Sequence, residues 1–203
     1  MSRPLFIVFE GIDGCGKSTQ LKMLCDKLTA LGRNPLPTAE PTETATGKML
    51  RRALSGEDKR TAAEMAALFV LDRIHHNKGE GGIDECLDKG FDVISDRYYY
   101  SSLAYQGSLT DYDWVRRMNC ECPEIRKPDL CIFLDMAPKA ALTRIGKRGE
   151  AKEIYEKEET LTLFRATFMK VFASLEDRVA IINAEGTPDE VAARVFEAVN
   201  PLL

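Results

Sequence analysis

Lys17 and Ser18 close an eight-residue segment, Gly11-Ile12-Asp13-Gly14-Cys15-Gly16-Lys17-Ser18, that fits G-x-x-x-x-G-K-[ST]. That spacing suits a loop wrapped around the phosphates of a nucleoside triphosphate. The glycines let backbone N–H groups turn inward onto phosphate oxygens. A helix opening near Lys17 adds the positive end of its dipole. Lys17 is placed to reach the β- and γ-phosphates, and the Ser18 hydroxyl to ligate Mg²⁺. The motif means this only between a strand and a helix. Here the apolar run Leu5–Glu10 precedes it and a helical pattern over 17–31 follows. Such a loop specifies a nucleoside triphosphate and leaves the reaction open. A regulatory GTPase would add N-K-x-D after a strand. The nearest segment, Asn77-Lys78-Gly79-Glu80, ends in Glu and trails a helical stretch. Motor and assembly ATPases usually need a longer chain than this one.

Two further clusters could bind an acceptor. Glu64–His76 reads EMAALFVLDRIHH, and Phe69 and Arg73 stand four apart on one helix face. An aromatic ring can lie on a nucleobase while a guanidinium reaches its edge oxygen. A core Phe and a surface Arg would show the same spacing. Val93–Tyr98 ends a buried strand with Asp96-Arg97, at the edge of a parallel sheet where ligands bind. Arg97 can hold a phosphate through two parallel hydrogen bonds. Asp96 can orient Mg²⁺-bound water or pair with an arginine. His75 and His76 are adjacent, so on a helix they point about 100° apart and cannot chelate one metal. They read as surface or hinge residues. Trp114 reads as core, and Asp135 as a cap for the turn after its strand.

The elements that must position these residues alternate. Strand-like runs are Leu5–Glu10, Phe91–Ser95, Leu130–Asp135 and Arg178–Asn183, with a weaker one at Asn34–Ala39. Several are apolar throughout, as in strands buried on both faces. Helical patterns lie near 17–31, 61–78, 98–107, 138–175 and 187–200. Strands alternating with helices imply right-handed crossovers and an α/β fold on a parallel sheet, here five-stranded. Polar, glycine-containing residues 40–60 and the charged run 144–160 read as mobile. The 203 residues suit one domain, 1–203.

A net charge of −4 argues against a broad basic face for nucleic acid. Bound phosphate should sit in a local basic pocket instead. Cys15, Cys25, Cys86, Cys120, Cys122 and Cys131 show no paired zinc-ligand spacing, so they read as reduced cytosolic thiols. No apolar run approaches the roughly 18 residues of a membrane span. A strand beginning by Leu5 leaves no room for a signal peptide.

In these residues the chain resembles thymidylate kinases. The resemblance runs in order through FEGIDGCGKSTQ at 9–20, EPT at 40–42, LFVLDRIHH at 68–76, DRYYYSSLAYQG at 96–107, KPDLCIFLD at 127–135 and the charged segment after Arg144. Its motif form is closest to archaeal members. The resemblance implies a three-layer, P-loop nucleoside monophosphate kinase-like fold with a mobile lid at about 144–160. It implies transfer of the γ-phosphoryl group of ATP to dTMP, with Mg²⁺, in a cytoplasmic homodimer that uses neither membrane nor nucleic acid. ATP would be held by Gly11, Asp13, Gly14, Cys15, Gly16, Lys17, Ser18 and Thr19, with Arg144 against adenine. Phe69 would stack on thymine and Arg73 reach its O4. Arg97 would hold the dTMP phosphate, and Asp13 approach sugar and phosphate. Ser102 and Gln106 would read the pyrimidine edge, and Tyr105 would crowd out a ribose 2′-hydroxyl. Ser18 and Asp96 would serve the metal.

Two departures stand out. Many bacterial relatives have Arg-Glu-Pro-Gly-Gly-Thr where this chain has Ala39-Glu40-Pro41-Thr42-Glu43-Thr44, so an acceptor-side arginine is missing. Arg51 and Arg52 are its candidate substitutes. Members with an arginine in the phosphate loop carry it at the position of Gly14. The missing charge would then come from the lid, through Lys147 or Arg148. An acceptor that is already an anion needs no general base, and catalysis becomes positioning and charge neutralisation. A kinase of another nucleotide or of a deoxynucleoside stays open, because Glu10 could activate a hydroxyl. A non-catalytic nucleotide-binding subunit is disfavoured by the intact acceptor motifs.

Overall fold

The computed structural model describes residues 3–148 and 157–203, with Lys147 and Arg148 described by backbone alone. Five parallel strands lie in the order β2-β3-β1-β4-β5. They are β1 Phe6–Glu10, β2 Pro35–Ala39, β3 Asp92–Asp96, β4 Leu130–Asp135 and β5 Val179–Asn183. Central β1 is buried at every position, as its unbroken apolar sequence requires. Its register sets Phe9 beside Asp96 and Glu10 beside Phe133, so the chemically interesting ends of β1, β3 and β4 lie together. The weak signal of β2 has a simple cause. It is an edge strand with two prolines, which an edge tolerates.

Nine α-helices accompany the strands among the described residues: α1 Lys17–Ala30, α2 Ala45–Leu54, α3 Ala62–Lys78, α4 Ile83–Asp88, α5 Tyr99–Tyr105, α6 Tyr112–Cys120, α7 Pro138–Arg148, α8 Glu158–Ser174 and α9 Pro188–Val199. Capping boxes fix the starts of α3, through Thr61 and Glu64, and of α9, through Thr187 and Glu190. Residues 40–60, read from the sequence as a mobile stretch, contain a helix that the sequence pattern did not show. Thr44 caps this helix, α2, which packs on α3. Short α4 and α6 were also missed; six and nine residues give little periodicity. The pattern over 138–175 is two helices, and residues 149–156 between them lie outside those described. An aromatic core of Tyr98, Tyr99, Tyr100, Phe133, Phe164, Phe168 and Phe172 seats α5 and α8 against the sheet.

Candidate active site

The phosphate loop runs from the end of β1 into α1. Gly16 caps α1 with φ 103°, a left-handed conformation that favours glycine. Gly14 has φ 81°, and a Cβ there would lie 2.5 Å from the Ala141 carbonyl oxygen of α7. The approach of α7 therefore excludes a side chain at position 14, which gives a physical reason for the absence of a loop arginine. Lys17 Nζ donates to the carbonyls of Gly11 (3.0 Å) and Ile12 (3.3 Å) and lies 3.8 Å from Asp13. The Cys15 side chain is buried in the core, which leaves its backbone for the loop. Arg144 on α7 reaches the carbonyls of Cys15 and Ala184, each at 3.4 Å. It borders a cavity of about 350 Å³ with Gly14, Gly16, Thr19, Gln20 and Gly186.

A second cavity of about 330 Å³ opens on the other side of the loop residues Gly14 and Gly16. Asp13, Phe69, Arg73, Arg97, Tyr105 and Gln106 all line it, so these six sequence candidates from three separate segments meet there. Arg97 follows β3 with φ 72°, the one positive φ outside glycine among the described residues. Such a conformation persists only where its surroundings enforce it. Its guanidinium pairs with Asp13, meets Ser101 Oγ at 3.1 Å and lies over the Tyr105 ring, 5.5 Å from the centroid.

Arg73 is not the surface residue its spacing allowed; it is 1% exposed. Glu40 accepts from its Nε (2.9 Å) and Nη2 (2.5 Å), and Ser102 Oγ and Asn119 Oδ1 take further donors. His76, read as a surface or hinge residue, is not at the surface; it is buried and contacts Glu40 at 3.0 Å and Thr38 at 2.7 Å. Ser102 is fully buried, and its Oγ accepts from Arg73 Nη1 at 3.3 Å. Asp135 pairs with Arg165 of α8 at 2.5 and 2.8 Å and does not cap its turn.

Sequence reasoning missed Glu40 and Asn119 as the holders of Arg73. It also missed Asp72, which accepts from Thr42, Thr44 and Thr46 hydroxyls at 2.6–2.9 Å. The alternating threonines were the available signal. Of the two candidate substitutes for the missing arginine, Arg51 lines the cavity and donates to the Pro41 and Thr42 carbonyls. Arg52 points away, to Glu57 and Asp58. Glu10, the candidate base, is sealed from the cavity. Its oxygens accept from Tyr98 N (2.9 Å), Ser101 N (3.0 Å) and Ser101 Oγ (2.7 Å). Burial pushes its carboxyl up to about 7.

Ser18 Oγ donates to Asp96 Oδ2 at 2.9 Å, and Asp96 Oδ1 is buried with no hydrogen-bond partner among the described residues. An orphan carboxylate oxygen beside a loop hydroxyl fits Mg²⁺, which binds through one or two carboxylates and the substrate phosphates. Among the described residues no three His, Cys, Asp or Glu gather into an all-protein metal cage. Side chains of the lid candidates Lys147 and Arg148 lie outside the described residues.

Two cavities that share the phosphate loop, one of them walled by arginines and an aromatic ring, define a P-loop kinase of the nucleoside monophosphate type. The thymidylate kinase family model matches residues 9–195. A probable thymidylate kinase of Pyrococcus horikoshii is 36% identical over 97% of this chain and 96% of its own. The thymidylate kinase of Akkermansia muciniphila is 39% identical over 96% and 90%. A thymidylate kinase structure from Candida albicans superposes with TM-score 0.82 at 24% identity, covering 99% of this chain and 93% of that one, which supports the fold. The chain belongs to the thymidylate kinase family, phosphotransferases that convert dTMP to dTDP.

Proposed function

We propose that the chain phosphorylates dTMP with ATP by clamping both nucleotides around the phosphate loop. The observation that carries this is the meeting of Phe69, Arg73, Arg97 and Tyr105 in one cavity that reaches Lys17 and Ser18. Phe69 stacks on the base and Arg73 addresses its edge. Gln106 lines the same wall, and Ser102 steadies Arg73 from behind. Arg97, with Arg51 nearby, holds the acceptor phosphate; Tyr105 packs under the sugar. Asp13 approaches sugar and phosphate. Gly11, Gly14, Cys15, Gly16 and Thr19 supply loop backbone to ATP, and Arg144 flanks adenine. Lys17 neutralises the β- and γ-phosphates. Ser18 and Asp96 would hold Mg²⁺, which would supply positive charge to the ATP phosphates. Lys147 and Arg148 supply further positive charge from a lid at about 144–160, because the loop itself holds only Lys17.

The sealed position of Glu10 favours a phosphate acceptor over a neutral hydroxyl. A coupled assay of ADP release across dTMP, dUMP, UMP, dCMP, AMP and thymidine tests the reading. dTMP should give the highest kcat/KM and thymidine no turnover. Preferred turnover of thymidine or AMP would overturn it.

The chain acts as one kinase domain in the cytoplasm, consistent with six free cysteines. No described helix is long and apolar enough to cross a membrane. It pairs as a homodimer, a reading supported by Leu71, 52% exposed in the middle of α3. Sedimentation velocity at micromolar concentration should give the dimer mass.

A further inference from the structure

Glu10 is a buried carboxylate that phosphoryl transfer, as described above, does not use. It is 0% exposed and ends the central strand. Taking a carboxylate out of water is unfavourable unless hydrogen bonds compensate. Here three donors do so: Tyr98 N, Ser101 N and Ser101 Oγ. All three belong to the segment that begins immediately after Arg97.

These contacts fix Arg97 at both its ends. Its backbone is in the left-handed region, with φ 72°. Its own N–H is tied to the Phe9 carbonyl at 2.9 Å, and its carbonyl accepts from Ser95 Oγ at 2.9 Å. The next N–H, of Tyr98, goes to Glu10. At the other end, Arg97 Nη1 donates to Ser101 Oγ at 3.1 Å. That hydroxyl has one proton to give. Glu10 Oε2, at 2.7 Å, takes it, which turns the oxygen's lone pairs toward the guanidinium.

We propose that Glu10 is a positioning residue for the acceptor phosphate: it orients Ser101, and Ser101 aims Arg97. The inference rests on the reading of Arg97 as the phosphate-holding residue. A glutamine in place of Glu10 keeps the shape and the acceptor for the two backbone N–H groups. Its amide nitrogen would donate to Ser101 Oγ, reversing the polarity of the link. The Ser101 hydroxyl proton, without its carboxylate acceptor, would then turn toward the Arg97 guanidinium and oppose it.

The test is calorimetric titration of dTMP and of thymidine into wild type, Glu10→Gln, Ser101→Ala, the double variant and Arg97→Ala. Thymidine has no phosphate, so a general loosening of the fold weakens both ligands, whereas mispositioning of Arg97 weakens dTMP alone. Glu10→Gln and Ser101→Ala should each raise the Kd for dTMP about tenfold, the scale of one hydrogen bond to a charged group. Each should leave thymidine unchanged. The double variant should be no worse than the worse single, because both act through one link. Equal loss of dTMP and thymidine, additive losses, or an unchanged Kd for dTMP in Ser101→Ala would overturn the inference even if Glu10→Gln fails to fold. Arg97→Ala separates the two levels. If it weakens dTMP while Glu10→Gln does not, only the positioning role is lost. If it leaves dTMP binding intact, the phosphate-holding role of Arg97 fails and the inference goes with it.

Discussion

Arg73 and Arg97 line one cavity and are held in different ways. Arg73 is buried and has a permanent counterion in Glu40, which is also shared with His76. Asn119 and Ser102 accept from its Nη atoms. Arg97 keeps 21% of its side chain exposed, as does its partner Asp13 in the phosphate loop. One side of the cavity is finished before a ligand arrives. The other holds an ion pair that an incoming phosphate can exchange. A flat, nearly neutral base needs a fixed edge to read, whereas a phosphate needs a cation whose present partner can be displaced. The contrast gives each arginine a different sensitivity to substitution.

The largest effect should come from the finished side. Glu40→Ala leaves the Arg73 guanidinium uncompensated in the interior, which typically costs about 3–5 kcal/mol of stability. Chemical denaturation should show that loss, and Glu40→Gln should recover part of it. A loss below about 1 kcal/mol would mean that water or another acceptor reaches Arg73, and the contrast would collapse.

Next comes Arg97→Ala, whose effect should fall on binding. Removing a charge-assisted contact to the acceptor phosphate should cost about 2–5 kcal/mol in dTMP affinity, with little change in ATP affinity or in unfolding midpoint. Equal shifts in both Michaelis constants would make Arg97 a structural residue and remove the phosphate side from the comparison.

The two sides also differed in how far the sequence revealed them. Phe69, Arg73, Arg97 and Lys17 could be named because periodicity, strand ends and motif spacing are local properties, whereas Tyr105 came only from the family resemblance. The strands followed from apolar runs, and only edge strand β2, with its prolines, was faint. The partners of Arg73 were not legible. Glu40 is 33 residues away and Asn119 is 46, and nothing local marks either as its holder. The contact of Ser102 with Arg73 was not legible either, because the direction of a side chain on short α5 depends on packing. Helix α2 within 40–60 went unseen for a related reason: its start is held by the tertiary contact of Asp72 with three threonines.

A pH series sharpens the account of Glu10. Its carboxyl is raised by burial from 4.5 to about 7, while Arg97, Ser101, Tyr98 and Lys17 act in the opposite direction. The folded state therefore holds this proton more tightly than the unfolded chain does. The group's stabilising contribution is full below about 4.5 and is lost as pH rises through about 7. At 1.36 kcal/mol per unit the total is on the order of 3 kcal/mol. Glu10→Gln cannot ionise and lacks this dependence. The difference in unfolding free energy between variant and wild type should thus move in favour of the variant between pH 5 and pH 8, then level off. A difference that stays flat over that range would show that Glu10 is charged throughout.

The smallest expected effect is the one most specific to the comparison. Asp13→Asn removes the carboxylate that pairs with Arg97 and keeps the side chain's size. If Asp13 held Arg97 as Glu40 holds Arg73, the loss would approach that of Glu40→Ala. The pair is one-fifth exposed on each side, so solvent and salt screen it and the Coulomb gain is small. Lys17, 3.8 Å from Asp13, also loses a neighbour, but its hydrogen bonds to the Gly11 and Ile12 carbonyls remain. The expected change in stability is therefore at most about 1 kcal/mol, and it should shrink further as salt is raised. Urea denaturation of Asp13→Asn and Glu40→Gln at low and high salt puts the two pairs on one scale. A salt-independent loss in Asp13→Asn as large as that in Glu40→Gln would mean that the loop pair is also a fixed strut, and that phosphate binds without displacing it.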